Sequence, residues 1–271
     1  MSSPVWFVKL IIKTYSQIFT LAKLTHLPGL GRMIEYALFE NDDIMYLPKD
    51  RTIPVNASLT SEGELMVPSK IVEHFIREAS YHWIMDTCIC RKASTCRDYP
   101  INLGCVFLGE AAKGINPELG RPVSSREALA HVEKCREAGL VHMIGRNKLD
   151  SVWLNVRPGH KLLTICNCCP CCCLWRILPD ITPKIGDKIT AMPGVAVKIN
   201  NNCVGCGTCT HEVCFTQAIK LQGERAVIGQ NCRGCGRCAD VCPNHAIDVD
   251  IYHPDFINNA IARISGTVDV H

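Results

Sequence analysis

The stretch that decides the fold of the carboxy-terminal third is Cys232-Arg-Gly-Cys235-Gly-Arg-Cys238-Ala-Asp-Val-Cys242-Pro243. A similar stretch, Cys203-Val-Gly-Cys206-Gly-Thr-Cys209, precedes it. Each is followed by an Ala-Ile pair, at 218–219 and 246–247, which indicates an internal duplication. A C-x2-C-x2-C segment brings three sulfurs around a tight loop. We expect its glycines, at 205, 207, 234 and 236, to adopt backbone angles that other residues avoid.

The chain has 19 cysteines in 271 residues, and they are grouped. A secreted disulfide framework is the competing explanation, but such proteins are usually shorter, carry a signal peptide and space their cysteines to reach across the fold. Adjacent cysteines also bridge one another poorly, whereas several nearby thiolates can ligate one cluster. The cysteines therefore favour metal binding. The groups are Cys88, Cys90, Cys96 and Cys105; Cys166, Cys168, Cys169, Cys171, Cys172 and Cys173; and Cys203, Cys206, Cys209, Cys214, Cys232, Cys235, Cys238 and Cys242.

Residues 193–252 resemble the bacterial two-cluster 4Fe-4S ferredoxins. The second motif has the family's full C-x2-C-x2-C-x3-C-P order, which is much less typical of structural zinc, the alternative metal. The first motif departs from the family, because four residues separate Cys209 from Cys214 and Phe215 stands in place of proline. In this family the fourth ligand crosses to the other cluster. The resemblance thus implies two ligand sets: Cys203, Cys206, Cys209 and Cys242; and Cys232, Cys235, Cys238 and Cys214.

Six further cysteines lie within residues 166–173, and a single cubane takes only four ligands from protein. Pro170 divides this run, so that neighbouring side chains can point to different centres. The C-x-C-R element at 88–91, followed later by this run, is similar to a poorly characterised group of ferredoxin-fused iron-sulfur proteins from anaerobes. That similarity implies no reaction. We expect one or two additional iron-sulfur centres, with ten candidate ligands: Cys88, Cys90, Cys96, Cys105, Cys166, Cys168, Cys169, Cys171, Cys172 and Cys173.

Three residues of the middle region have an alternative structural explanation. Cys105 precedes the apolar stretch 106–108 and could be a buried thiol, since free cysteine packs like a small hydrophobe. Cys135 has no cysteine near it in sequence and is predicted to be a core residue. His142 could ligate metal or carry protons, but a lone histidine on an alternating strand is usually structural.

The amino-terminal segment from Val5 to Leu27 has apolar residues at helical spacing and lysines on another face. Its lysines lie inside the window that a bilayer span requires, and it lacks a cleavage site of the A-x-A kind. The segment therefore predicts an amphipathic helix that Pro28 and Gly29 end. Two roles stay open: a helix in a membrane interface with lysines toward anionic headgroups, or a helix docked on this protein's core or a partner.

The sequence predicts an α+β fold in which a helical and mixed α/β cysteine-rich domain precedes a small ferredoxin-like two-cluster domain. The expected parts are a basic helix at 1–34, the cysteine-rich domain at 35–190, the ferredoxin domain at 191–252 and a tail at 253–271. Predicted helices begin near Ser69, taken as the N-cap, and at Ser125 with a capping box from Ser124. Predicted strands cover 140–144, 152–156, 162–165, 195–199 and 226–228.

Function follows from the metal centres. We expect an electron-transfer protein in the cytoplasm of an anaerobe, with the inner face of the membrane as a second location. It would relay single electrons through two clusters to or from the additional centre, on behalf of a partner oxidoreductase. The alternative is a reductase subunit or enzyme whose centre at 166–173 reduces a disulfide or thioester. A zinc-stabilised interaction module would explain only the middle cysteines. No nucleotide-binding motif indicates independent turnover, and the net charge of +3 implies no nucleic acid.

Overall fold

The computed structural model describes residues 2–53 and 67–271. They form the α+β fold that the sequence predicts. The α-helices are α1 Val5–Leu21, α2 Leu30–Leu38, α3 Ser69–Glu78, α4 Ile89–Ala93, α5 Ser125–Glu137, α6 Lys148–Leu154, α7 Pro183–Gly186, α8 Arg237–Asp240 and α9 Phe256–Ser265. The strands are β1 Asp43–Tyr46, β2 His82–Met85, β3 Val106–Leu108, β4 Gly120–Pro122, β5 Val141–Arg146, β6 Leu163–Cys168, β7 Ile189–Ala191, β8 Val195–Ile199, β9 Ile219–Gln222, β10 Arg225–Ile228 and β11 Ile247–Ile251.

A seven-stranded sheet organises the chain up to residue 191, with the strand order β4-β2-β3-β6-β5-β1-β7. Neighbouring strands are antiparallel except β1 and β7, which are parallel. Strand β6 lies at the centre of this order. Because successive side chains of a strand point to opposite faces, β6 presents two different surfaces. Leu163 and Ile165 lie in one core cluster, whereas Cys166 and Cys168 pack against another.

Helices α3, α5 and α9 supply the core on the first face of the sheet. Phe75, Val132 and Ile264 are buried there with strand residues such as Ile144. The opposite face is covered by the short 3-10 helix Leu174–Asp180 together with residues of α1 and α2. The cysteines of β6 belong to this second face.

Two small two-stranded antiparallel sheets form the carboxy-terminal part, one from β8 and β11 and the other from β9 and β10. The strands predicted at 195–199 and 226–228 are therefore confirmed as β8 and β10. After β11 the chain returns to the large sheet. The segment assigned to a tail contains α9, and its residues from Phe256 to Val270 contribute to the core of the first face.

Helix α1 and the 3-10 helix Ala22–His26 confirm the predicted amino-terminal helix. Its apolar side faces the protein: Val8 and Tyr15 are buried, and Ala22 belongs to the core of the second face. Exposed on the outer side are Trp6 and Leu10. Of the described residues, no helix combines the length and the apolar character that crossing a membrane requires.

Two local predictions are wrong. Residues 152–156, predicted as a strand, lie mostly in α6, where Trp153 donates from Nε1 to Asp150 Oδ1 at 2.8 Å across one helical turn. Apolar alternation over only a few residues also fits a short helix with one buried side. Ser69 is not the N-cap of α3. Pro68 occupies that position and Ser69 is the first helical residue. The capping box of α5, between Ser124 and Glu127, is confirmed.

Candidate metal centres

The six-cysteine run begins as a strand and ends as a loop. Cys166 and Cys168 are the last residues of β6 on the second face, while Asn167 between them points to the first face. Pro170 lies in the turn that follows, and Cys173 is the N-cap of the 3-10 helix Leu174–Asp180. This change of backbone direction separates the run into two sets of sulfurs. All 19 cysteines lie in the described ranges, and none forms a disulfide.

The first set is the six-thiol group, which lies between β6, α4 and the start of β3. Cys105 and Cys166 have their sulfurs 3.4 Å apart. Hydrogen bonds also link Cys88 with Cys90 and Cys168 with both Cys166 and Cys173. The members of the six-thiol group are Cys88, Cys90, Cys105, Cys166, Cys168 and Cys173.

Two buried tyrosines contact the six-thiol group. The hydroxyl of Tyr46 lies 3.4 Å from Cys173 Sγ and 3.8 Å from Cys168 Sγ. Burial, followed by the nearby charges of these two thiols, raises the pKa of Tyr46 well above its usual value. The hydroxyl therefore keeps its proton and can donate to sulfur. Tyr15 of α1 bonds to Cys90 and donates to the carbonyl oxygen of Cys172 at 2.8 Å.

The surroundings favour the thiolate form at two positions of this group. Hydrogen bonding from Cys90 lowers the pKa of Cys88 to about 7. Hydrogen bonds from Cys166 and Cys173 hold the pKa of Cys168 well below its usual value. The fully buried guanidinium of Arg91 interacts with Cys88 and other thiols. The pKa values of the other four thiols of the group are raised, through burial and hydrogen bonds within the group. Since the thiolate is the metal ligand, Cys88 and Cys168 are the two positions that the metal-free fold prepares to bind a soft metal.

The second set is the four-thiol group of Cys96, Cys169, Cys171 and Cys172, whose sulfurs all lie within 4.8 Å of one another. The Sγ atoms of Cys96 and Cys171 are 3.7 Å apart, and those of Cys171 and Cys172 are 3.5 Å apart. Four sulfurs are the number that one cubane takes from protein, so the donor set fits an iron-sulfur cluster. The structure thus divides the ten predicted middle ligands into six and four.

The residues with structural alternatives can now be placed. Cys105 lies in the six-thiol group. Cys135 is fully buried and packs against Cys169 and Cys172, and burial raises its pKa to about 12, as expected of a core thiol. His142 points away from the thiols of the second face. Its Nδ1 lies 2.8 Å from Asn167 Oδ1, and burial lowers its pKa to about 4, which favours a neutral structural histidine.

The cysteines of the carboxy-terminal part surround two small cavities of about 10 and 20 Å³. All four motif glycines have positive φ, between 66° and 79°. The grouping equals the one that the ferredoxin resemblance implies, including the position of Cys214 after the extra residue. The first cavity is lined by Cys203, Cys206, Cys209 and Cys242, and the second by Cys214, Cys232, Cys235 and Cys238.

Backbone amides point at several of these sulfurs. The N–H of Ala218 donates to Cys214 Sγ and that of Ala246 to Cys242 Sγ, each at 3.3 Å. The Ala-Ile pairs of the duplication therefore supply equivalent donors in both halves. Hydrogen bonds from Ala226 and Gly205 lower the pKa of Cys203. Such amide donors stabilise negative charge on sulfur, as a cluster ligand requires.

Phe215 lies at the position where the sequence departs from the ferredoxin pattern. Its side chain connects the carboxy-terminal part to the part of the chain that contains the seven-stranded sheet. Its ring lies 4.6 Å from that of Tyr46 between centroids, and it directly follows Cys214. Cys235 also packs against this core, as do Cys166 and Cys168. Arg237 donates to the carbonyl of Cys168. The Cys214 set therefore adjoins the six-thiol group.

Sequence reasoning missed these contacts. Tyr15 and Tyr46 belong to no motif, and Arg237 lies inside the second motif without any indication of its partner. Nothing in the spacing relates these residues to Cys172 and Cys168, which lie between 69 and 157 positions away. In the sequence, Phe215 stands out only as a departure from the ferredoxin pattern, and that departure was a signal that could have indicated a contact outside the ferredoxin-like part.

A known protein family matches part of the chain. The model of the LdpA Fe-S cluster-binding domain matches residues 210–253, which include Cys214 and the whole second motif. No curated protein and no solved structure shows significant similarity to the chain. Together with the clustered cysteines, this match supports iron-sulfur binding by the chain.

Proposed function

We propose that the chain is an electron-transfer protein in which the carboxy-terminal cysteines hold two 4Fe-4S clusters and the central cysteines hold one or two more centres. Iron-sulfur clusters supply one-electron transfer when bound. The protein's own contribution is to place four sets of thiols in a series. The contact between Phe215 and Tyr46 carries this proposal, because it connects the Cys214 set to the six-thiol group.

Each part of this path has residues that exclude water or hold charge. Phe215 and Tyr46 are buried, so their rings exclude water from the region between the two sets. Arg91 interacts with thiols of both central groups, including Cys88 and Cys169, and therefore offsets negative charge at both. The outermost set includes the exposed Cys206, which is the natural place for electrons to enter or leave.

The partner in this proposal is a redox protein or an oxidoreductase complex, and the anaerobic cytoplasm, which keeps thiols reduced, is the fitting compartment. The test is iron and acid-labile sulfide analysis with EPR spectroscopy on anaerobically purified protein. About eight irons per chain would indicate the ferredoxin-like part alone, and twelve or more would establish a further centre. Fewer than eight would contradict the proposal.

The second candidate function, a reductase or reductase subunit, is favoured by one observation. A cavity lies directly against the six-thiol group, lined by all six of its cysteines together with residues of α1. A substrate held there would be next to the electron donor. Reduction of an added disulfide or thioester by the chemically reduced protein, measured in stopped flow, would favour this second function over simple relay.

A further inference from the structure

The cavity beside the six-thiol group is mostly apolar. Its walls include Phe7, Ile11 and Ile18 of α1 and, from the opposite side, Trp153 and Trp175. Walls of this kind with a few polar groups are typical of small-molecule sites.

Its size distinguishes it from the other cysteine-lined cavities of the same protein. The cavities of the two carboxy-terminal thiol sets have volumes of about 10 and 20 Å³, whereas this cavity has a volume of about 310 Å³. A centre of the size that the smaller cavities accommodate would fill only part of it. The same cavity also reaches the apolar side chains of α1.

One polar atom of the wall lacks a hydrogen-bond partner. Asn147 is 5% exposed, and among the described residues no group donates to its Oδ1. Its Nδ2 donates to Asp150 Oδ2 at 2.8 Å, which fixes the orientation of the amide. A buried acceptor without a donor costs free energy, which a ligand with an N–H or O–H group would recover.

The two charged side chains that line this cavity, Arg91 and Asp150, already form hydrogen bonds within the protein. The guanidinium of Arg91 donates to the carbonyl oxygens of Pro100, Leu103 and Asn167. The carboxylate oxygens of Asp150 accept from Asn147 and Trp153. An ionised ligand would find no free counter-charge there, and burying an unpaired charge is unfavourable.

We propose that this cavity binds a small neutral molecule with a ring-sized apolar body and one hydrogen-bond donor, of the chemical class of phenols, with the donor on Asn147 Oδ1. This inference goes beyond electron relay, because binding at this place requires no turnover.

The test uses phenol and toluene as probes, added to the anaerobically purified, iron-loaded full chain and followed by calorimetry. Phenol should bind about tenfold more tightly than toluene, since it alone satisfies the buried acceptor. Asn147→Leu should make the two affinities equal. Absence of phenol binding by the iron-loaded protein, or an unchanged preference for phenol in Asn147→Leu, would overturn the proposal.

Neighbouring residues of α1 provide a matched pair of variants. Ile11→Trp fills the cavity and should abolish phenol binding, whereas Leu10→Trp changes an exposed residue and should leave binding intact. Val152→Trp narrows the cavity from a residue that is 45% exposed, so it tests the same point with little risk to folding. Binding retained in both Ile11→Trp and Val152→Trp would place phenol elsewhere and contradict the proposal. Iron content, measured on every variant, reports separately on the proposed electron-transfer function.

Discussion

Arg237 donates a hydrogen bond from its guanidinium to the main-chain carbonyl of Cys168. Arg237 lies between Cys235 and Cys238 of the second ferredoxin-like motif, and it is 6% exposed. A buried cation thus joins the loop of one thiol set to the strand that carries another. The two thiol sets have no cysteine in common, but this hydrogen bond connects them. A substitution in one set should therefore change the spectroscopic signal of the other.

Substitution in the two carboxy-terminal sets should have different effects at a distance. Cys235→Ala should remove one cluster, leave the iron of the central groups in place and shift their EPR signal, because Cys235 packs against the same core as Cys166 and Cys168. The exposed Cys206 is the matched control: Cys206→Ala should remove one cluster without that shift. Loss of all iron in Cys235→Ala would show that the sets are not separate.

Serine substitutions within residues 166–173 should fall into two classes. Cys168→Ser and Cys173→Ser should change one central EPR signal, and Cys169→Ser and Cys171→Ser the other, because the sulfurs divide in this way. Cys135→Ala, the control, should cost only packing, about 1 to 3 kcal/mol, with iron unchanged. If all four serine variants keep wild-type iron and spectra, the run is structural.

Tyr46→Phe should keep the contact with Phe215 and remove a hydrogen bond to the sulfurs of Cys168 and Cys173. A donor to sulfur stabilises the more negative, reduced form of a centre, so its loss should lower the reduction potential of the central centre. A tenfold change in the equilibrium constant for one-electron reduction corresponds to roughly 60 mV. Redox titration followed by EPR measures it. Tyr36→Phe, at an exposed ring, should leave the potential unchanged. An unchanged or raised potential in Tyr46→Phe would contradict hydrogen bonding to the centre.

Removal of residues 2–27 tests the role of α1. The segment has no cysteine, so the sequence alone predicts that cluster content is independent of it. The structure gives the opposite expectation: iron should fall in the central groups, since Tyr15 contacts Cys90 and the carbonyl of Cys172. The carboxy-terminal clusters should remain. Full iron content in the truncated protein would show that α1 is only an external addition.

The buried carboxyl group of Asp42 should make the free energy of unfolding depend on pH. Burial raises its pKa to about 7, and no group among the described residues donates to its Oδ2. The pKa of an aspartate in an unfolded chain is near 4. Between about pH 4 and 7 the folded state therefore binds more protons at Asp42 than the unfolded state does. The free energy of unfolding should fall as the pH rises through this window. Asp42→Asn should be more stable than wild type at pH 7.5, by on the order of 2 kcal/mol, and equal to it at low pH.

Denaturant unfolding from pH 5 to 8 under argon measures this difference. The other charges near Asp42 are those of Asp150, Lys188 and Arg146, with the amide of Lys148 donating to Oδ1. Asp255→Asn, at an exposed position, should follow the wild-type curve. A wild-type curve without the decline, or one that Asp42→Asn does not flatten, would show that Asp42 is not the group responsible.

The sequence predicts what depends on neighbours in the chain. The capping box at Ser124, the positive φ of Gly236 and the strands near 197 and 227 all follow from local spacing, and the structure has them. Residues 152–156 show the limit of this method, because five alternating residues fit a strand and a short helix alike. The division of the central cysteines depends instead on β6 lying between β3 and β5, a long-range arrangement that no local pattern encodes.

The position of α1 shows the same limit from another side. Amphipathicity identified an apolar face but could not say what covers it. In the structure the protein itself covers that face. The family match and the motif spacing both concern the carboxy-terminal third. Neither therefore indicates which part of the chain packs against the apolar face of α1.

Arg91 carries its charge into the interior with three carbonyl oxygens as acceptors and, as its nearest titratable neighbours, the thiols of both central groups. Without metal, Cys88 and Cys168 are the neighbours of Arg91 whose lowered pKa values favour the thiolate that offsets this charge. If the central groups hold metal as proposed, loading would add further thiolate charge around the same cation. The free energy of metal binding would then contribute to the stability of the folded chain.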